Sequence, residues 1–291
     1  MDHRVSFERF RVASDGRFEL ASVDPRDTVG LEREIAQERL SRSIERLAEL
    51  QKRLSAQDRW AVLLIFQGMD ASGKDGTIRQ VFASVDPASC QVSAFKAPSN
   101  EELDHDFLWR AVRSLPERGR IGIFNRSYYE ELVTVRIHPE FLERQRLPPR
   151  CAGPGIWDDR LEDVVRFERY LVRNGVFVRK FFLHVSKDEQ KRRFLERIDE
   201  PDKNWKFNEG DVAERARWDE YQHRWSKSIA GSSTDHAPWY VVPADKKWFT
   251  RMIVAEAVVA GLEELELDFP RVEGERRQEL VRARRALEAE K

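Results

Sequence analysis

The chain has 291 residues, 41% of them apolar and 35% charged, with eight tryptophans and 17 phenylalanines, enough apolar material for a sizeable folded core. The charges nearly cancel to a net −1, which argues against a general nucleic-acid binder and confines any basic surface to a local patch. No segment approaches the run of about 18 apolar residues that a membrane span needs, and the N-terminus MDHRVSFERFRV has no apolar leader core, so neither membrane insertion nor secretion is expected.

In chain order, residues 1–30 read as a loose N-terminal arm. Residues 31–54 place Leu31, Ile35, Leu40, Ile44, Leu47, Leu50 and Leu54 at helical spacing among dense charges, which predicts a long amphipathic helix. An apolar run from Trp60 to Phe66 then breaks into GMDASGKDGT, the pattern of a strand feeding a phosphate cradle. Further strands are predicted over 91–95, 120–124, 176–185 and 239–242. Helices are predicted over 101–115, 127–135, 158–174, 187–197, 211–228 and 246–265. The segment RLPPRCAGPGIW reads as an irregular excursion, and residues 269–291 as a highly charged helical tail. Strands regularly separated by helices imply an α/β fold with a mostly parallel sheet covered on both faces, its ligands at the carboxyl ends of the strands. Cys90 and Cys151 form neither a C-x-x-C pair nor a disulfide framework, which suits a reducing cytoplasm.

The glycine-rich loop carries the sharpest chemistry. Gly68 and Gly73 stand at the spacing G-x-x-x-x-G-K, so the backbone of Gly68, Met69, Ala71, Ser72 and Gly73 can turn its N–H groups inward while Lys74 brings an ammonium to phosphoryl oxygens. The helix opening around Asp75 and Gly76 aims its positive end at the same anion. The motif normally closes in Ser or Thr, whose hydroxyl binds magnesium; here that position is Asp75. A further carboxylate, Asp70, lies inside the loop, and acid beside a polyanion implies a cation between them, hence a magnesium held partly by Asp70. The alternative is a plain glycine-rich turn between strand and helix.

Other strand ends add to this set. The third strand runs into IFNRSYYEE, placing Asn125 and Arg126 beside the loop, with Arg126 able to clamp phosphoryl oxygens and Glu130 able to support a metal or a sugar hydroxyl. An ordinary surface ion pair is the competing reading. The second strand runs into FKAPSNEE, where Lys96 is suited to an acceptor phosphate. Arg193 and Arg197 stand four residues apart on one predicted helical face, followed by Lys203 and Lys206 in a polar segment. Such a stretch fits a lid over phosphate, and equally fits a solvated charged helix.

Together, GMDASGKDGTI, FKAPS, FLWR, IFNRSYYEE, KFFLHVSKDEQ, WKFNEGD and APWYVVPADKKW resemble the polyphosphate kinase 2 family over residues 29–265. The resemblance implies a P-loop kinase fold, a three-layer α/β/α domain over 31–268 with a helical lid near 198–210. It implies magnesium-dependent transfer of a terminal phosphoryl group between inorganic polyphosphate and a nucleotide, with manganese as an alternative ion. Lys74 would then hold the transferred group, Asp70 would bind the metal, and Arg126, Arg193 and Arg197 would neutralise polyphosphate, with Lys203 and Lys206 in the lid. Asn125, where the diphosphate-specific group has Asp, resembles the subgroup accepting both AMP and ADP. Adenine nucleotides are the expected partners, with guanine as an alternative, in a homodimer or homotetramer. Two rivals stand beside this expectation: a nucleoside monophosphate kinase with ATP as donor, and a nucleotide-binding module without turnover.

Overall fold

The computed structural model describes residues 6–290. Five strands form one wholly parallel sheet in the order β2-β3-β1-β4-β5. They are β1 (Ala61–Gln67), β2 (Cys90–Ala94), β3 (Ile121–Asn125), β4 (Val176–His184) and β5 (Trp239–Pro243). The central strand β1, AVLLIFQ, is buried at every position, as a continuous apolar run between two helical layers should be. The outer strand β2 is half exposed.

Among the described residues there are eight helices of about two turns or more: α1 (Arg33–Gln57), α2 (Lys74–Val81), α3 (Ile156–Arg173), α4 (Lys187–Asp199), α5 (Glu209–Arg215), α6 (Trp218–Ser232), α7 (Lys247–Glu263) and α8 (Gly274–Ala289). Alternation along β4 separates the layers. Phe177 and Arg179 face α7, where an added carbon on Gly261 would meet the Phe177 ring at 2.7 Å and Arg179 pairs with Glu264 just beyond the helix. Lys180 and Phe182 face α3 and α6, meeting Glu168 and Trp225. The amphipathic α1 lies along α7, buries Ala36, Leu40, Leu47, Leu50 and Leu54, and is clamped by Arg39 on Glu256 at 2.7 Å through two nitrogens.

Several predicted elements differ from the structure, each for a local reason. The expected helix over 101–115 is two single turns, Asn100–Leu103 and Trp109–Val112, because the Asp106 carboxylate takes the Leu108 N–H at 2.9 Å and offers the backbone an alternative to a continuous helix. The expected helix over 127–135 is a 3-10 turn, Tyr128–Glu131, capped by Ser127, followed by one turn at Thr134–Ile137. The stretch over 211–228 is two helices, α5 and α6, interrupted near Arg217, whose guanidinium binds the Ile137 carbonyl at 2.8 Å. Nor do residues 6–30 hang loose. Arg11 bridges Tyr240 in antiparallel fashion, the Val12 N–H donates to Trp239 O at 2.9 Å, and Phe10, Val12 and Leu20 are buried, so the arm covers the β5 edge. The helix α8 does form and is exposed along its length.

The arm also closes over His184 at the end of β4. Burial pushes this imidazole down to about 4, with the Val23 backbone and the Asp24 carboxylate pulling the other way, and its Nδ1 has no hydrogen-bond partner. A histidine whose folded pKa lies below its ordinary 6.5 contributes its full stability above that value. The contribution is lost as pH falls toward 4, because the unfolded chain takes up a proton that the fold refuses. Urea unfolding between pH 7 and pH 4 should therefore show a loss of about 3 kcal/mol from this group that a His184→Gln variant lacks; identical pH profiles for the two proteins would remove His184 as the cause.

Candidate active site

The carboxyl ends of β1, β3, β4 and β5 converge on the glycine-rich loop. Gly68 leaves β1 at φ +147° pressed against β4: an added side-chain carbon would stand 2.7 Å from the Leu183 carbonyl oxygen and 2.7 Å from the Ser72 hydroxyl. Only glycine permits that approach. Ala71 at φ +58° and Gly73 at φ +101° then bend the chain into the first turn of α2, a succession of right- and left-handed backbone that forms an anion-binding nest at a helix N-terminus. Met69 and Ser72 are buried in the loop.

Lys74 extends back across this cradle. Its ammonium donates to the Gly68 carbonyl at 2.7 Å and lies 3.3 Å from the Met69 carbonyl. Burial lowers its pKa to about 8, nearby Arg126 adds to the shift, and Asp70, Glu130 and Asp75 oppose it. Arg126 follows β3 in a left-handed conformation, φ +64°, with its N–H on the Phe66 carbonyl at 3.0 Å. The guanidinium donates to Asp70 at 2.6 Å and stands 3.7 Å from Glu130; these carboxylates, Glu130 foremost, raise its pKa further. Asn125 donates to Asp75 at 2.5 Å. The unusual acid after Lys74 thus ties the end of β3 to the first turn of α2, where a negative charge also suits the helix dipole.

The basic residues after β4 have different surroundings. Arg193 does not project a free guanidinium toward an open channel. It is buried, donating to Ala71 O at 2.8 Å, Ser72 O at 3.0 Å, Ala244 O at 2.6 Å and Glu189 at 2.8 Å, and so braces the loop against the end of β5. Arg197 stands 3.8 Å from Asp211 on α5. Lys203 is held at 2.5 Å by both Glu196 and Glu200, so its charge is largely neutralised locally. The side chain of Lys206 lies outside the described residues.

On the β2 side, a cleft of about 380 Å³ is lined by Phe95, Lys96, Arg110, Arg126, Glu130 and Arg144, among others. Arg110 binds the Lys96 carbonyl at 2.8 Å and lies over the Phe95 ring at 5.4 Å. The cleft wall is fixed by a closed set of bonds: Arg160 to Glu131 at 2.7 Å, Arg160 to Gln145 at 2.6 Å, and Gln145 to Glu131 at 2.8 Å. Arg110, Arg144, Arg160 and Asp211 were not anticipated: Arg110 and Arg144 come from single turns with no spacing signal, and Arg160 and Asp211 sit on helices whose periodicity does not say which polar residues meet the site. Behind the IFNRSYYEE segment lies a second network. Tyr128 and Tyr129 donate to Glu168 at 2.9 and 2.8 Å, and Lys180 donates to Glu168 at 2.5 Å and to the Ser232 carbonyl at 2.8 Å.

The donor set can be tested against a magnesium ion. Among the described residues no cluster of three or more His, Cys, Asp or Glu could hold a metal on protein groups alone. Magnesium bound through one or two carboxylates, with the remaining positions filled by substrate phosphates and water, needs no such cluster. Asp70, partly exposed within the phosphate loop and joined there to Arg126, which also reaches Glu130, fits that mode.

Comparison with known proteins agrees with this geometry. The family model described as polyphosphate kinase 2 matches residues 30–270. The chain is 46% identical to an ADP-polyphosphate phosphotransferase of Rhodopseudomonas palustris, over 98% of this chain and 99% of that protein. It is 42% identical to an AMP/ADP-polyphosphate phosphotransferase of Meiothermus ruber, over 91% and 96% respectively. The crystal structure of polyphosphate kinase 2 from Arthrobacter aurescens superposes with a TM-score of 0.87 at 38% identity, covering 97% of this chain and 98% of that one.

Proposed function

The chain belongs to the polyphosphate kinase 2 family, and from that premise we propose that it transfers the terminal phosphoryl group of inorganic polyphosphate to AMP and to ADP, reversibly, forming ADP and ATP. It is a phosphotransferase of that type. The observation that carries the reading is the convergence of Lys74, Asp70 and Arg126 on a glycine-rich nest at the mouth of a basic cleft.

The chemistry asks mainly for alignment and neutralisation. An acceptor phosphate oxygen is already anionic near neutral pH, so it needs no base to attack, and the loose transition state of phosphoryl transfer spreads charge over equatorial oxygens. In this reading the nest and Lys74 hold the polyphosphate terminus, while Arg126, at the boundary of loop and cleft, bridges donor and acceptor phosphates. Lys96 meets the acceptor phosphate, Glu130 orients Arg126 and the nucleotide, and Arg193 keeps the loop carbonyls turned away from the anion. Arg197 neutralises polyphosphate beside the lid, and Lys203 and Lys206 belong to the lid region over 198–210, which excludes water on closure. Magnesium, or manganese in its place, would sit on Asp70 and supply charge neutralisation between the phosphates. The catalytic unit is one domain over 31–268, with the arm (1–30) and charged tail (269–291) as its extensions, acting in the cytoplasm as a homodimer or homotetramer. Among the described residues no helix is long and apolar enough to cross a membrane.

Acceptance of both AMP and ADP is assigned to Asn125. An Asn125→Asp variant would place a carboxylate against Asp75, where the amide now donates at 2.5 Å, and the repulsion would shift the strand end beside the acceptor. The ratio of kcat/KM for AMP to that for ADP should fall about tenfold, a change of about 1.4 kcal/mol. An unchanged ratio would take acceptor choice away from this position.

A further inference from the structure

The lid region over 198–210 runs directly into α5, and two consecutive residues fasten α5 to both walls of the site. Arg215 donates to the Lys187 carbonyl at 2.6 Å and to the Gln190 side chain at 2.9 Å, and Gln190 donates to the Asp70 carbonyl in the phosphate loop at 2.9 Å. Glu214 reaches the acceptor side, where it accepts from the Tyr221 hydroxyl on α6 at 2.6 Å and meets His138 Nε2 at 3.0 Å. Thr134, beside that hydroxyl, donates to Glu130 at 2.6 Å, and Glu130 stands 3.7 Å from Arg126. The seating of α5 is thus connected to Asp70 on one side and to Arg126 on the other.

His138 sits at the junction of this second chain. It is buried between the turn Thr134–Ile137 and the turn Pro139–Glu143, with its ring stacked on Phe141 at 5.1 Å between centroids. Both ring nitrogens face carboxylates, Nδ1 at 3.2 Å from Glu140 and Nε2 at 3.0 Å from Glu214. A carboxylate only accepts, so both contacts are hydrogen bonds when both nitrogens carry protons, as in the imidazolium. The neutral ring keeps one of them at most and loses the charge that strengthens it. The charged and titratable groups around the ring are Glu140, Glu214 from α5 and, from α6, Tyr221, whose hydroxyl is 3.4 Å from Nε2. Arg217, just before α6, acts on Glu140, while its guanidinium is held by the Ile137 carbonyl at 2.8 Å.

We propose that His138 is a positioning residue for phosphoryl transfer: its imidazolium clamps Glu214 and seats α5 against the acceptor wall, and deprotonation loosens α5 and, through Tyr221, Thr134 and Glu130, the setting of Arg126. The clamp is a property of the fold, and its effect on rate rests on the transfer reading above.

The test compares wild type with His138→Gln and Glu214→Gln between about pH 6 and pH 9, a range that spans imidazole titration. Protection of the α5 amides against hydrogen exchange, corrected for the intrinsic rate at each pH, should fall about fivefold in wild type as pH rises, the loss of one charge-assisted contact. In both variants it should be low and flat. The kcat/KM for ADP with long-chain polyphosphate should show a fivefold fall over the same range in wild type, about 1 kcal/mol, that both variants lack. Glutamine at 214 still accepts from Tyr221, so that variant reports on the clamp even if His138 proves hard to replace. A histidine that only fills space would lower protection and activity by the same factor at every pH, and that result overturns the proposal. So does a pH profile of kcat/KM shared by all three proteins. The transfer reading fails separately: wild type whose α5 protection depends on pH through His138, yet which makes no ATP from ADP, would keep the clamp and refute the reaction.

Discussion

Lys74→Ala should lower kcat for polyphosphate-driven ATP formation about a thousandfold, or about 4 kcal/mol of transition-state stabilisation, while the protein remains folded. The ammonium lies across the nest within 2.7 Å of the Gly68 carbonyl, where charge on a transferring phosphoryl group would develop in a site screened from water. Its pKa, lowered by burial to about 8, means that the fold at neutral pH carries a charge its surroundings disfavour. Alanine removes that cost, so Tm should hold or rise as activity disappears. Loss of activity together with a lower Tm would instead mean that Lys74 holds the loop in shape. Near-normal kcat in a folded variant would place the reaction elsewhere.

Glu168→Ala should destabilise the protein by about 3–5 kcal/mol, read as a shift in the urea midpoint at unchanged m-value. Glu168 and Lys180 are both inaccessible to solvent, and burial drives Lys180 below the ordinary lysine range while Glu168 pulls it back up. Removing the carboxylate leaves a buried ammonium without its counter-charge and two tyrosine hydroxyls without their acceptor. Lys180→Met in the Glu168→Ala background should recover part of the loss by removing the orphaned charge; a further loss instead would contradict the assigned pairing. The same network anchors Tyr128 and Tyr129, which lie between Arg126 and Glu130 in sequence, so the single variant should also weaken transfer without touching the phosphate loop.

The core strands and the loop were legible because their signals are local. A buried parallel strand needs only an apolar run, which β1 supplies, and the loop needs only its glycine spacing and Lys74. Asn125 and Arg126 were placed at the loop because they stand at the end of a predicted strand, and β3 does pair directly with β1. What could not be read was partnership. Lys180 within VFVRKFFLHV looks like one polar residue of a strand, and nothing in sequence says that Glu168, on the preceding helix, will meet it. Arg193 and Arg197 sit on one helix as their spacing required, yet only the return of β5 to the loop turns Arg193 into a brace for the Ala71 and Ser72 carbonyls. Asp75 reads as a motif defect until β3 brings the Asn125 amide to it. The long helix expected over 211–228 failed because a continuous apolar pattern does not reveal a side chain, Arg217, bound to a distant carbonyl.

The central claim is that inorganic polyphosphate is the phosphoryl donor. The direct measurement is ATP formation from ADP, and separately from AMP, with purified protein, magnesium and long-chain polyphosphate as the sole donor, Lys74→Ala serving as control. ATP from both acceptors with wild type, and none above background with the variant, is the predicted result. No product until ATP is supplied as donor, with AMP then converted to ADP, would contradict the account and identify a nucleoside monophosphate kinase on the same sheet.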